Sequence, residues 1–298
     1  MRILVFGAGS LGTLVGGLLS PIHDVTLVGR DPHVSQVEAR GLDIVGAHSA
    51  YATPRATTAE TGHTADLAVL TVKSFDTESA ADALAQCDIG CVLSLQNGLT
   101  EERLAGRLDV PVLAGTATYG ARLVESARVE CTGIGRVVLG ALDGGTDPLA
   151  ERVGKAFRDA NVNTLVATDM PRRRWEKLAV NAGINAVTAL ARVENGALGS
   201  GDASTIAHRA ARETARVARL EGVRLPNRVA REAIDRVIDK TAANRSSMLQ
   251  DIEGRKRTEV DFINGAVVEY AANYDLAVPT NALLAGLLRA WERGVGLR

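Results

Sequence analysis

The apolar run Ile3-Leu4-Val5-Phe6 passes directly into Gly7-Ala8-Gly9-Ser10-Leu11-Gly12, and no other stretch constrains the fold as much. Such a run suits a strand covered on both faces. The GxGxxG spacing then opens a helix expected over Ser10–Leu19 and stopped by Pro21, with a second strand at Val25–Val28. In that context the glycines read as a βα turn wrapped around a dinucleotide, not as an ordinary loop. Gly7 allows the tight turn, Gly9 lets a pyrophosphate approach the backbone, and Gly12 lets helix and strand pack closely. The helix N-terminus, with Ala8, Ser10 and Leu11, supplies amide donors to the anion.

The alternation continues. Strands are expected at Leu67–Val72, Cys91–Leu95 and Val112–Thr116, with helical patterns at Thr77–Gln86 and Glu101–Leu108 between them. Strands separated by helices imply a parallel, doubly wound sheet with right-handed crossovers. Between Tyr119 and Leu142, glycines punctuate Arg122–Val124, Arg128–Cys131 and Arg136–Leu139, which read as antiparallel strands extending the sheet. A helix at Asp147–Ala160 and a strand at Thr164–Val166 close this half.

Beyond Asp169 strand patterns vanish. Helices are expected over Arg172–Arg192, Ala203–Glu221, Arg228–Thr241, Ser247–Glu253, Val260–Tyr274 and Asn281–Arg293. The fold class is therefore α/β: an N-terminal doubly wound Rossmann-type parallel sheet with an antiparallel extension, plus a C-terminal all-helical domain. The expected domains are 1–168, dinucleotide-binding, and 169–298, helical and substrate-binding.

Charge and composition narrow the function classes. Lys and Arg number 34 against 35 Asp and Glu, for a net charge of −1, so no polyanion-binding surface is expected and nucleic acid is not an expected partner. No apolar run reaches the ~18 residues of a membrane helix, and no secretory signal is read, so a cytoplasmic protein is expected. Cys87, Cys91 and Cys131 are read as reduced thiols, and no metal site is expected. Apolar positions Leu283, Leu284, Leu287 and Leu288 are explained by core packing as well as by a homodimer.

The end of the second strand bears on which nicotinamide cofactor binds. An acid there would accept the ribose hydroxyls and repel a 2′-phosphate, but the sequence reads Val28-Gly29-Arg30. A guanidinium suits phosphate, so NADPH is expected over NADH. The neighbouring Asp31 is read as an N-cap ahead of Pro32. Lys73 and Gln96-Asn97-Gly98 sit at the carboxyl ends of two strands, where open α/β sheets bind ligands; a surface lysine and a turn-forming Asn-Gly would also explain them.

On the first helix of the second half, Lys177, Asn181, Asn185 and Thr188 recur at intervals of 4, 4 and 3. At 3.6 residues per turn they form one narrow polar stripe on an apolar helix. Asparagine is a poor helix former, so the stripe points to a wet cleft facing a small polar molecule, or to polar packing between helices. A lysine in such a cleft could stabilise the negative charge of a reduced carbonyl oxygen and protonate it.

Together these residues resemble the ketopantoate reductases (2-dehydropantoate 2-reductases). The resemblance also covers Lys73-Ser74, Asn195-Gly196, Ser246-Ser247-Met248-Leu249-Gln250-Asp251 and Thr258-Glu259 leading into Ile263-Asn264-Gly265. It implies NADPH-dependent reduction of 2-dehydropantoate to pantoate, toward pantothenate and coenzyme A. It implies Lys177 as general acid and Glu259 as the carboxylate that supports it and holds substrate. Asn97, Asn181, Asn185, Asn195 and Ser247 match substrate-binding groups, and Arg30, Lys73 and Asn97 match cofactor contacts. Read without the resemblance, Ser247 and Gln250 make a capping box, and Glu259 is an exposed acid in a charged run. Ala186 stands where many relatives carry proline, so the helix is expected to continue unkinked. The competing readings are a reductase of another branched 2-keto acid and a non-catalytic NADPH-binding redox sensor.

Overall fold

The computed structural model describes residues 1–298, which divide into two compact units. The first comprises Met1–Gln96 and Thr100–Met170, and the second Asn97–Leu99 and Pro171–Arg298.

The first unit begins with β1 (Arg2–Phe6), α1 (Ser10–Leu19), β2 (Asp24–Val28) and α2 (His33–Arg40). Short strands follow: β3 (Leu42–Gly46), β4 (Ala50–Ala52), β5 (Arg55–Thr57), β6 (Thr64–Ala65) and β7 (Leu67–Leu70). Then come α3 (Thr77–Leu84), β8 (Asp88–Ile89), β9 (Val92–Ser94), α4 (Glu101–Ala105), β10 (Val112–Ala117), β11 (Gly120–Glu125) and β12 (Arg128–Gly133). Finally β13 (Val137–Ala141), α5 (Pro148–Asp159) and β14 (Thr164–Val166) complete it. Asp147 N-caps α5, accepting from Leu149 N–H at 2.8 Å, with Pro148 at the start of the helix.

Eight strands form the main sheet in the order β14-β13-β10-β9-β7-β1-β2-β5. All pairs are parallel except β10 with β13. The chain leaves β1 toward β2 and returns on its other side at β7, so the strand order reverses there. That switch point places the crevice outside Phe6 and Leu70.

Of the three strands expected to extend the sheet, only β13 does so. The β11–β12 hairpin instead joins β3 and β4 in a separate four-stranded sheet, with β12 parallel to β3 and Val129 opposite Ile44. Packing decides this. Added Cβ atoms would strike Leu27 and Val5 at Gly16, and Leu42 and Ile44 at the neighbouring Gly17. Two adjacent glycines thus let α1 lie between both sheets, in one apolar core with Leu14, Val15, Val129 and Cys131.

The second unit is helical: α6 (Met170–Ala191), α7 (Gly201–Leu220), α8 (Asn227–Lys240), α9 (Ser247–Glu253), α10 (Asn264–Ala272) and α11 (Pro279–Gly294). Helix α6 runs without interruption through Ala186 and is buried on nearly all faces from Leu178 to Ala189, as a central helix should be. The expected single helix over Val260–Tyr274 is broken. A 3-10 turn at Val260–Phe262 ends where Ile263 leaves helical geometry (φ −110°, ψ −87°), and α10 starts at Asn264. The buried Asn264 amide donates to Ala182 O and Asn281 Oδ1, both at 3.0 Å, and Asn281 donates to Ala210 O and Glu213 Oε2. These bonds tie α6, α7, α10 and α11 together. No helix is long and apolar enough to cross a membrane.

Candidate functional site

The glycine loop is built tightly where it must be and open where a ligand would come. Gly7 has φ +111°, and its added Cβ would sit 2.6 Å from Val72 N. Its amide and that of Ala8 donate to Val28 O at 3.0 and 2.8 Å, anchoring the turn on β2. At Gly12 a Cβ would lie 2.2 Å from Gly7 O and 2.4 Å from Thr71 Oγ1, so helix and strand touch without room for a methyl. Thr71 Oγ1 donates to Gly7 O at 2.8 Å and locks the loop to the end of β7; this residue was not singled out from the sequence. Gly9, by contrast, is exposed, and an added Cβ there would meet nothing within 4 Å. Helix α1 carries no side-chain cap and no acid in its first turn, leaving its N-terminal amides and positive dipole end for an anion. The Ser10 hydroxyl accepts from Leu123 N–H at 3.0 Å, while Leu11 is half-buried beside it.

Arg30 projects from the end of β2 with its side chain 91% exposed, 3.6 Å from Asp76. Asp31 is not the N-cap of α2, because the helix begins at His33 with Pro32 at the cap position. Its carboxylate instead takes hydrogen bonds from the Ser35 amide and hydroxyl. His33 is a buried residue the sequence did not point to. Its Nδ1 accepts from Ala127 N–H at 3.1 Å and its Nε2 faces Thr13 Oγ1 at 3.0 Å. Burial holds its imidazole below the ordinary histidine range. Lys73 is half-buried, just before the turn Ser74–Asp76. Gln96 is structural: its amide donates to Val72 O and Thr77 Oγ1, and its oxygen accepts from Thr100.

The next residue takes a different role. Asn97, Gly98 and Leu99 belong to the helical unit. A Cβ on Gly98 (φ +88°) would meet Phe262 O at 2.4 Å, and Leu99 joins the helical core. Asn97 Nδ2 donates to Glu259 Oε2 at 3.0 Å. Glu259 is 4% exposed, so the exposed-acid reading fails.

On α6, Lys177 and Asn181 are half-buried and Asn185 is 6% exposed. The carboxamides of Asn181 and Asn185 make no hydrogen bond with the protein, and their polar atoms stay accessible. The stripe stops there. Thr188 is fully buried, bonded to Ile184 O at 2.8 Å and paired with Ser246 Oγ at 2.7 Å, and so is packing, not cleft. The cap of α9 is also Ser246, which accepts from Leu249 N–H. Ser247 therefore makes no capping box with Gln250, whose amide donates to Arg245 O; its hydroxyl is exposed. Asn195 is buried and half-committed, because Nδ2 donates to Thr241 Oγ1 at 2.9 Å while Oδ1 is buried without a partner. The structure thus brings Asn97 to Glu259 and sets Lys177, Asn181 and Asn185 along one helix face, while Asn195 is tied instead to Thr241.

A groove of about 520 Å³ between α6, α7 and α11 is a poor candidate site, lined by Leu190, Ile206, Leu283 and Leu287 with Arg209 as its one charged group. Leu284, which also lines it, and Leu288 are packed in the core.

Residues 3–144 match the family model described as Ketopantoate reductase PanE/ApbA, and residues 169–292 match its C-terminal counterpart, Ketopantoate reductase PanE/ApbA C terminal. A Halobacterium salinarum protein named 2-dehydropantoate 2-reductase is 43% identical over 303 residues, covering 98% of this chain and 99% of that one. An Archaeoglobus fulgidus protein of the same name is 37% identical over 300 residues, covering 99% of both. A crystal structure of a PanE/ApbA family ketopantoate reductase from Ralstonia eutropha JMP134 superposes with a TM-score of 0.90 at 30% identity, covering 99% of this chain and 100% of that one. The complex of D-mandelate dehydrogenase with NADH gives 0.90 at 25% identity, with coverage of 99% and 100%.

Proposed function

The chain belongs to the ketopantoate reductase family, and on that footing we propose that it reduces 2-dehydropantoate to pantoate, a step toward pantothenate and coenzyme A, with NADPH preferred to NADH. The observation that carries the reading is the row Lys177, Asn181, Asn185 on a buried helix, where an ammonium is followed by two carboxamides that bond nothing in the protein.

The residues of the first unit fit a dinucleotide. Open space over Gly9 and the uncapped α1 N-terminus suit a pyrophosphate, held by the backbone amides of Gly7–Gly12. Arg30 would take the 2′-phosphate, and Lys73 would add a positive charge at the strand ends. When bound, the cofactor supplies a hydride to the 2-keto carbon. The chain's own residues manage the charge and the proton. Lys177 donates a hydrogen bond to the keto oxygen, stabilises the charge that grows on it, and protonates it. Asn181, Asn185 and Ser247 bind the polar groups of the keto acid. Glu259, oriented by Asn97, holds the substrate hydroxyl and keeps the site favourable for an ammonium.

The test is an initial-rate panel of 2-keto acids with NADPH and NADH in parallel. The expected result is highest kcat/KM for 2-dehydropantoate with NADPH. Lys177→Ala should lower turnover by roughly 10²–10⁴-fold while NADPH binding persists. Near wild-type turnover in that variant rejects the assignment. The likeness to D-mandelate dehydrogenase with NADH favours, as a second reading, another 2-keto acid on the same scaffold. A maximum elsewhere in the panel would establish it.

A further inference from the structure

The segment bearing Glu259 is fastened on both sides by α11 and the residues after it. On one side the fully buried Glu292 accepts two hydrogen bonds from Thr258, from its amide at 2.8 Å and its hydroxyl at 2.6 Å. Thr258 is 1% exposed. On the other side Asp261 accepts from Arg289 Nε at 2.7 Å. The Arg298 guanidinium joins the two halves, donating to both Glu292 Oε2 and Asp261 Oδ2. Leu297 N–H closes the turn onto Glu292 O at 2.9 Å. Burial raises the Asp261 carboxyl, but the bonds from Arg298 and Arg289 outweigh it and hold the group below its ordinary value.

We propose that Glu292, held by Arg298, is a positioning residue that sets the Glu259 carboxylate for substrate through Thr258. The inference rests on the reading above that Glu259 meets the substrate. Glu292 spends one carboxylate oxygen on the residue next to Glu259 and the other on Arg298. It therefore fixes the backbone from which Glu259 projects without touching the ligand. A buried carboxylate is costly unless fully bonded, and here every bond it makes serves this segment.

Kinetics of the full chain with 2-dehydropantoate and NADPH test the idea. Glu292→Gln should keep an acceptor for Thr258 but lose the charge that holds Arg298, and kcat/KM should fall roughly 10- to 100-fold, the scale of a small misplacement. Arg298→Gln should give a smaller loss of the same kind. Thr258→Val guards against a Glu292 variant that does not fold, and should lose activity that Thr258→Ser restores. The deciding readout is a double-mutant cycle with Glu259→Gln. If Glu292 acts through Glu259, its substitution adds almost nothing in that background. Full additivity, or an unchanged kcat/KM in folded Glu292→Gln and Thr258→Val, overturns the proposal. A Glu259→Gln single variant with wild-type kinetics instead overturns the reading of Glu259 itself.

Discussion

Two glycines three residues apart should respond to the same substitution in opposite ways. At Gly12, alanine would place its Cβ 2.2 Å from Gly7 O and 2.4 Å from Thr71 Oγ1. Neither can move easily, because the Gly7 amide is bonded to Val28 O and Thr71 Oγ1 is bonded to Gly7 O. Overpacking of this kind costs about 3 kcal/mol at the upper end, against about 1 kcal/mol gained from alanine's helix propensity. The net loss of about 2 kcal/mol lowers Tm by about 4–8 °C for a unit of this size. At Gly9 the same methyl meets nothing within 4 Å, and the backbone (φ −82°, ψ −164°) is open to any residue. A weaker N-cap, about 0.5–1 kcal/mol, is offset by a similar gain from a less flexible unfolded chain. Gly9→Ala should therefore melt within about 2 °C of the unaltered protein. Its methyl would occupy the approach of the pyrophosphate, so Kd for NADPH should rise about 10- to 100-fold, or about 1.4–2.8 kcal/mol. Differential scanning fluorimetry and cofactor fluorescence titration read the two quantities separately. A Gly9→Ala protein that binds NADPH as tightly as the original would refute the placement of the anion over Gly9.

Two further substitutions probe groups flanking that loop. Arg30→Ala should raise Kd for NADPH about 10-fold and leave NADH within about 2-fold, since only the former presents a phosphate to the guanidinium; equal losses for both would remove Arg30 from cofactor selection. His33 has its pKa lowered by burial, so as pH falls the unfolded chain takes up the proton first. The contribution of the neutral ring is complete above the unfolded value of about 6.5 and is lost as pH drops through the lower folded value. Thermal melts from pH 8 to 5 should show an acid-side loss of stability that is reduced in His33→Gln, and parallel curves would refute it.

Much of the fold was legible because periodicity and punctuation agree locally. The strand–glycine–helix junction at Phe6–Ser10 and the Asp147-Pro148 start of α5 are cases where one short stretch determines its own conformation. The small sheet was not legible. Leu42–Gly46 alternates weakly, and its partner Arg128–Gly133 lies far along the chain, so only the packing of α1 reveals their pairing. The break at Ile263 was hidden because Val260–Tyr274 keeps a helical pattern across it. Glu292 gave no signal at all, since an acid near a helix end normally faces water.

The site was half legible for a related reason: sequence reveals which residues are polar but not which have spent their polarity. Thr188, Asn185 and Asn264 all interrupt apolar surroundings. Thr188 is consumed by Ile184 O and Ser246, and Asn264 donates both amide hydrogens to Ala182 and Asn281. Asn185, nearly as buried, donates none. Asn264 leaves only its Oδ1 buried without a partner, a cost of about 1–3 kcal/mol, whereas the unbonded polar atoms of Asn181 and Asn185 stay accessible, open to water or a ligand. On that accounting Asn181 and Asn185 are the residues of the stripe whose replacement by leucine should cost catalysis without costing stability. Thr188→Leu, which removes the hydroxyl paired with Ser246, the cap of α9, should do the reverse.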